Sequence, residues 1–477
     1  MNQLVWLRSD LRLHDNFALR KAWSQAKASG GEVYAVFLVS QSQWQGHNLG
    51  LPKRDFIARQ LVQLSADLAS HGIELRLLQA PLFADAPAVL ADFAAGKQIS
   101  DVYWQAECGW DERQRDDQVS SQLAGIGINA HINHDRSLVH PDQVLTHSGT
   151  PYKVFTAFKK NWLSALIAQW QMPKASVGKQ DKKIKKTKKY AALDVQSLYL
   201  SSELPGDYQH LHALWPTGED EAQRRLNNFL QHSVRDYQAQ RDFPAVAGTS
   251  TLSPYLAAGV IGPRQCLAAW LNEAQGDWFE PAMQTWLNEL AWRDFYYYVM
   301  WHFPKVSKNL PFQDKTRAVQ WRKAPKDFSA WCEGKTGVPL VDAAMAQLNQ
   351  TGWMHNRLRM VVASYLTKNL FIDWRLGEAY FMQRLVDADF AANNGGWQWS
   401  ASTGTDAAPY FRVFNPVLQS QRFDAQGEFI RAWLPELAQL NNKHIHQPPS
   451  AERGLYPAPL VDLKLSRRSA IEAFAEL

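Results

Sequence analysis

"EVYAVFLV" (residues 32–39) and "ELRLLQ" (74–79) are β-rich runs. Between them lies "PKRDFIARQLVQLSADLASHG" (52–72), an amphipathic stretch that opens on Pro and closes on Gly as helices prefer. The same alternation extends outward through "LVWLR" (4–8) on one side and "DVYWQ" (101–105) and "INAHIN" (128–133) on the other. Five strands separated by helices predict an α/β domain over residues 1–134, built on a doubly wound, Rossmann-like, five-stranded parallel sheet.

At 477 residues the chain exceeds what one core usually spans, so two or more domains are expected. A hydrophobic fraction of 46% and a charged fraction of 20% are ordinary for a globular protein. No apolar run approaches the roughly 18 residues that span a bilayer. The N-terminus "MNQLVWLRSD" carries Arg8 and Asp10 where a signal peptide would stay apolar. The expectation is a cytoplasmic protein with no membrane partner. Cys108, Cys266 and Cys332 are too far apart for a zinc or iron–sulfur spacing or a disulfide framework. His131/His134 and His444/His446 lack acidic or Cys partners at ligand spacing, so no metal site is expected. The formal charge of +5 says little about nucleic acid: "KQDKKIKKTKK" (179–189) alone carries +6, which leaves −1 for the rest.

Residues 135–204 read as loop-like sequence, a solvated interdomain linker that includes this Lys run. From 205 to 477 strand signals give way to helical ones, which predicts an all-α, Trp-rich domain. "TSTLSPYLAAGVIGPRQCLAAWLNEA" (249–274) reads as one helix with Ser253 as N-cap and Pro254 at the first helical position. "FEPAMQTWLNELAWRDFYYYVMWHF" (279–303) and "GWMHNRLRMVVASYLTKNLFIDW" (352–374) read as two more.

Trp286, Glu289, Arg293 and Tyr296 fall on one face of the second of these, with Trp292 at its edge. Asn356, Met360 and Ala363 share a face of the third beside Arg357. "DADFAANNGGWQWSASTGTD" (387–406) reads as a loop that crowds acids, amides and indoles together. Asp387 and Asp389 accept and Asn393 or Asn394 donates, which suits a ligand with alternating N–H and C=O groups, such as a uracil-like ring edge. Gly395 and Gly396 let backbone approach a flat ring closely. Two carboxylates without a third ligand argue against a metal. "EGKTG" (333–337) fails as a P-loop because Ser329 stands where a Gly is required. "TSTLSP", with Thr249, Ser250 and Ser253 at a helix N-terminus, is the better phosphate cradle. With the Asp stretch and Arg293 it suits a dinucleotide held inside a helical domain.

"LVWLRSDLRLHDN", "WLNELAWRDFY", "GWMHNRLRM" and "DWRLGEAYFMQRLVDADFAANNGGWQWSASTGTDAAPYFRVFNP" closely resemble the class I cyclobutane pyrimidine dimer photolyases of the photolyase/cryptochrome family. The likeness covers nearly the whole chain and is weakest over 174–235 and after 440. It implies an N-terminal antenna domain and a helical domain that binds FAD. Tyr237, Thr249, Ser250, Thr251, Leu252, Ser253, Trp286, Glu289, Arg293, Asn356, Asp387, Ala388, Asp389 and Asn393 match the family's flavin pocket, with Asn393 facing flavin N5.

The activity implied is that of a carbon–carbon lyase. It repairs cyclobutane pyrimidine dimers in UV-damaged DNA by electron transfer from photoexcited reduced FAD. The dimer leaves the duplex because stacked bases are unreachable, an arrangement already known for photolyases. Glu289 would hydrogen-bond the dimer, which requires a protonated carboxyl. Trp292 and Trp399 would stack on the thymines, with Met360 as an apolar wall. Arg241, Glu289, Trp292, Asn356, Arg357 and Gln419 match DNA-contacting positions. Trp397, Trp374 and Trp321 match an electron-transfer chain. His47, Asn48, Glu112 and Lys308 resemble a methenyltetrahydrofolate antenna site. Asp111 stands there where folate binders commonly have Asn, and a deazaflavin or no antenna is the alternative. A monomer is expected. The rival readings are a cryptochrome-type blue-light receptor and a (6-4) photoproduct photolyase, the latter because His355 adjoins Asn356.

Overall fold

Alternate side chains of the N-terminal runs face opposite sides of one sheet. A computed structural model describes residues 1–177, 190–200 and 208–477, and the Lys run lies outside the described residues. The strands are Asn2–Leu7 (β1), Val33–Val39 (β2), Glu74–Gln79 (β3), Ile99–Gln105 (β4) and Asn129–Asn133 (β5), all parallel, in the order β3-β2-β1-β4-β5. Leu4, Trp6, Val36, Leu38 and Trp104 enter one apolar cluster, and Val5, Leu7, Ala35, Phe37 and Tyr103 enter another. Both faces are therefore covered, as the near-continuous apolar runs of β1 and β2 require. Strand order reverses at β1, so the crevice past Leu7 and Gln105 is the switch point of the sheet.

Two compact units make up the chain: Met1–His232 with Ser250–His302, and Ser233–Thr249 with Phe303–Leu477. The first holds the sheet and the helix Gln284–His302. It also holds a helix that the loop-like reading of 135–204 missed, Phe155–Gln169. Phe155, Phe158, Trp162 and Leu166 form its buried stripe, a 3.6-residue period diluted by intervening lysines. Leu198 and Tyr199, from the same stretch, pack into the sheet's core.

Three further expectations change. The run 249–274 is two helices, Ser253–Ala258 and Pro263–Glu273, and Leu252 rather than Ser253 stands at the N-cap. Gly259 breaks it at φ +69, and a Cβ there would lie 2.0 Å from the Ser9 carbonyl oxygen, so only Gly fits. In the second unit the run 352–374 is the helix Asn356–Ser364 followed by a π-helical turn, Tyr365–Asn369. It stops at Phe371, whose φ of 54° is left-handed, and a new helix runs over Trp374–Arg384. The stretch read as a loop from 387 contains the helix Phe390–Ser400. Asp389 caps it, accepting from Ala392 N at 3.1 Å.

Candidate active site

The acid–amide stretch acts through that cap. Asp389 spends one carboxylate oxygen on the helix N-terminus. Asp387, buried, accepts from Arg359 Nη2 at 2.8 Å through Oδ2, while its Oδ1 is buried without a partner among the described residues. A carboxylate paired on one oxygen and open on the other is a ready acceptor for a ligand N–H. Arg359 had not been singled out in the sequence, although it sits three residues past Asn356. From the same helix, Asn393 Nδ2 donates to the Glu378 carbonyl at 3.0 Å and Asn394 Nδ2 to Glu378 Oε1 at 2.8 Å. Gln398 Nε2 completes the row on Asn394 Oδ1 at 3.0 Å. Burial pushes the Glu378 carboxyl up to about 7, against the Asn394 hydrogen bond. Asn393 is half-buried, whereas Asn394, 2% exposed, belongs to the packing.

Trp397 and Trp399 diverge because two helical residues are about 200° apart. Trp397 is 2% exposed and meets Phe381 and Trp331 edge-on, with ring centroids 5.0 and 6.0 Å away. Trp399 is half-buried, 6.4 Å from the Phe414 ring. Trp374 is buried beneath the Arg375 guanidinium, and Trp321 packs on Phe371 and Phe474. All three indoles of the expected electron chain lie in the second unit.

The residues of that unit expected to contact DNA also gather. Arg357 Nη2 pairs with Asp242 at 2.7 Å, and its guanidinium lies 4.6 Å from the Phe423 ring. Phe423 shares the helix Pro416–Phe423 with Gln419, whose buried Oε1 has no partner. Arg241 lies 3.9 Å from Asp242 and packs over Tyr237. His355 is engaged in structure: its Nδ1 accepts from Arg357 N at 3.2 Å as the N-cap of Asn356–Ser364. Burial holds its pKa down at about 4, so the ring is neutral with its proton on Nε2. Asn356 is exposed and Met360 half-buried on that helix.

In the first unit, Trp286 is buried on Gln284–His302 and Glu289, Trp292 and Arg293 are half-buried. Phe155 stacks on Trp292 with centroids 3.6 Å apart and planes 8° apart, which covers one indole face. Arg293 Nη1 donates to the Arg136 carbonyl at 2.6 Å. Arg225 Nη1 donates to Thr251 Oγ1 at 3.1 Å, holding a residue of left-handed φ, +50°. Tyr237 and Thr249 belong to the second unit, and Ser250 to Ser253 to the first.

Of the antenna set, His47 Nε2 pairs with Asp111 Oδ2 at 3.0 Å and its Nδ1 lies 3.5 Å from Glu112 Oε1. Asn48 follows with φ +57°, and burial raises the Glu112 carboxyl. At the switch point Glu107 is half-buried; desolvation alone would raise it, yet Arg8, Arg115 and Arg136 hold it down at about 2. Lys308 ends the turn Pro304–Lys308 of the second unit. Among the described residues no cluster of His, Cys, Asp or Glu could hold a metal ion, and no helix is long and apolar enough to cross a membrane.

Two family models match the sequence: DNA photolyase over residues 3–175, and the FAD binding domain of DNA photolyase over 286–476. A deoxyribodipyrimidine photo-lyase of Vibrio cholerae is 42% identical, over 99% of each chain. A bacterial class III photolyase from Agrobacterium tumefaciens superposes with a TM-score of 0.87 at 34% identity, covering 100% of this chain and 97% of that one. A Synechocystis cryptochrome does so with a TM-score of 0.86 at 29% identity, over 99% of both. The chain belongs to the DNA photolyase family.

Proposed function

We infer that the chain is a light-driven carbon–carbon lyase that reopens cyclobutane pyrimidine dimers in DNA, with FAD bound by its helical domain. The observation that carries this reading is Asp387. Its buried, unpartnered Oδ1 and its Arg359 pair form the acceptor that the N–H of a flavin ring edge needs. When bound and excited by light, FAD supplies one electron to the dimer.

The chain's own residues bind, orient and exclude water. Arg359 pairs with Asp387 and orients it, and Asp389 with Ala388 fixes the backbone beside it. Asn393 presents an amide that can donate or accept. Trp286, Arg293, Tyr237 and the segment Thr249 to Ser253 serve the rest of the dinucleotide. Glu289 and Asn356 hydrogen-bond the dimer. Trp292, which Phe155 backs, and Trp399 serve to stack on the thymines, with Met360 as an apolar contact. Arg241, Arg357 and Gln419 fix the DNA register. Trp321, Trp374 and Trp397 carry an electron inward to the cofactor site. Residues 1–134 form the antenna domain and 205–477 the helical domain, and the stretch 135–204 that joins them carries the helix Phe155–Gln169. The antenna is methenyltetrahydrofolate on His47, Asn48, Asp111, Glu112 and Lys308; the His47 pairing with Asp111 and Glu112 supports a polar ligand there.

The test is dimer loss. Purified protein is mixed with dimer-containing oligonucleotide under blue light and in darkness, and the dimer is followed by chromatography. Loss in the light alone is expected; undiminished dimer would sink the repair reading and leave the light-receptor reading suggested by the cryptochrome likeness. A (6-4) activity would need His355 at the lesion, whereas that ring caps a helix.

A further inference from the structure

The second unit contains a cavity of about 770 Å³ whose lining shares no residue with the flavin, dimer or electron-transfer sets. That volume is within the range of small-molecule sites, about 300–1,000 Å³. Three helices begin on its wall: Pro339–Thr351, Pro416–Phe423 and Leu463–Ala475. Asn415 and Asp462 cap the second and third, and the first has no side-chain cap. The positive ends of three backbone dipoles therefore border one volume and favour an anion in it. Lys464 and Arg467, exposed at its rim, outweigh the Asp462 carboxylate, and neither has an ion partner among the described residues.

A second observation points to a ligand with more than charge. Asn369 lies on the wall, 5% exposed; its Nδ2 donates to Ser466 Oγ at 3.0 Å, while its Oδ1 is buried without a partner among the described residues. Phe414 adds an aromatic ring to the same wall. Phosphate charge, a ring to stack and an N–H to donate are together the features of a nucleotide. Phe414 also lies 6.4 Å from Trp399, and Gln419 shares its helix with wall residues Leu418 and Gln421. The cavity thus adjoins the proposed lesion wall and DNA contacts, which favours a nucleotide delivered by a DNA strand.

We propose that this cavity takes one nucleotide of the bound DNA outside the dimer, with its base beside Phe414 and Asn369 and its phosphate between Lys464 and Arg467. The inference rests on the repair reading above. It is tested with the full chain carrying Lys464→Ala and Arg467→Ala together, and separately with Leu418→Trp to fill the cavity mouth. Binding to a dimer-containing duplex is measured across salt, with 2-aminopurine placed singly at positions outside the dimer in either strand. The double variant is expected to bind about tenfold more weakly, with the slope of log K against log salt reduced by about 1–2. One 2-aminopurine position should brighten on binding the parent and stay dim with Leu418→Trp. Parent-like affinity and slope in the double variant, with no such position, overturn the proposal. So does a double variant that loses free deoxyadenosine 5′-phosphate yet binds DNA as the parent does. Light-dependent dimer loss by the parent in the same samples separates failure of this site from failure of the repair reading.

Discussion

Arg359 and Asp387 form a one-sided pair: Nη2 meets Oδ2 at 2.8 Å, and Oδ1 of the same buried carboxylate has no donor among the described residues. A charge-assisted hydrogen bond to that oxygen is worth about 1.5–3 kcal/mol. Asp387→Ala should therefore weaken FAD binding roughly tenfold to a hundredfold. Flavin absorbance per protein after purification reads this directly. Full flavin content in the variant would remove Asp387 from the binding set.

Gly377 is a steric gauge for the inner tryptophan. A Cβ there would lie 2.1 Å from Trp397 Cη2 and 2.7 Å from Leu366 Cδ2. Gly377→Ala must displace the indole, at a cost of about 1–3 kcal/mol of overpacking. We expect a lower Tm and slower photoreduction with an external reductant, with dimer splitting by chemically reduced protein retained. Parent-like photoreduction would show that Trp397 is not an obligatory carrier.

Asp242 restrains the arginine expected on DNA, since Arg357 Nη2 is 2.7 Å from its carboxylate. Asp242→Asn removes the competing anion. DNA affinity at low salt should rise about twofold to fivefold, and the salt slope should steepen by up to about 1. Weaker binding in fluorescence anisotropy would mean that Asp242 orients Arg357 instead of competing for it.

Lys368 is 1% exposed, and burial lowers its pKa to about 7 although its ammonium lies 3.5 Å from the Phe474 ring centroid. The unfolded chain keeps the ordinary value near 10.5, so between pH 7 and 10.5 it binds the extra proton and stability rises with pH. Below pH 7 the native state carries the full penalty. Lys368→Met should raise Tm by several degrees at pH 6, with the gain shrinking as pH approaches 10. A pH-independent difference in thermal melts would assign the effect to packing alone.

The strands were legible because β1, β2 and β4 alternate between two buried faces, and the observed ends of β1 to β4 fall within two residues of the apolar runs. The helix breaks were not. Hydrophobic periodicity continues across Phe371, and nothing local marks a non-Gly residue for φ 54°. The helix Phe390–Ser400 was hidden because Asn-Asn-Gly-Gly is a poor helix sequence; hydrogen bonds from Asn393 and Asn394 to Glu378 override that propensity. Among the site residues, many could be named from the motifs, whereas Asp242 and Phe155, outside them, and Arg359, inside "GWMHNRLRM", emerge only from side-chain geometry. Phe155 in particular sits in sequence that reads as linker, yet it backs Trp292.

The two acids of the 387–389 stretch should tolerate different alphabets. At 389 one carboxylate oxygen does work that Ser, Thr or Asn could do for a helix N-terminus. At 387 an anion is needed, because Arg359 is its counterion and the remaining oxygen is left open. A saturation library grown in the dark, where repair is not required, and sorted on fold stability alone would keep several residues at 389. The same library sorted on flavin fluorescence would narrow first at 387. Two neighbouring aspartates that look interchangeable in one sequence would then separate into a folding position and a cofactor position.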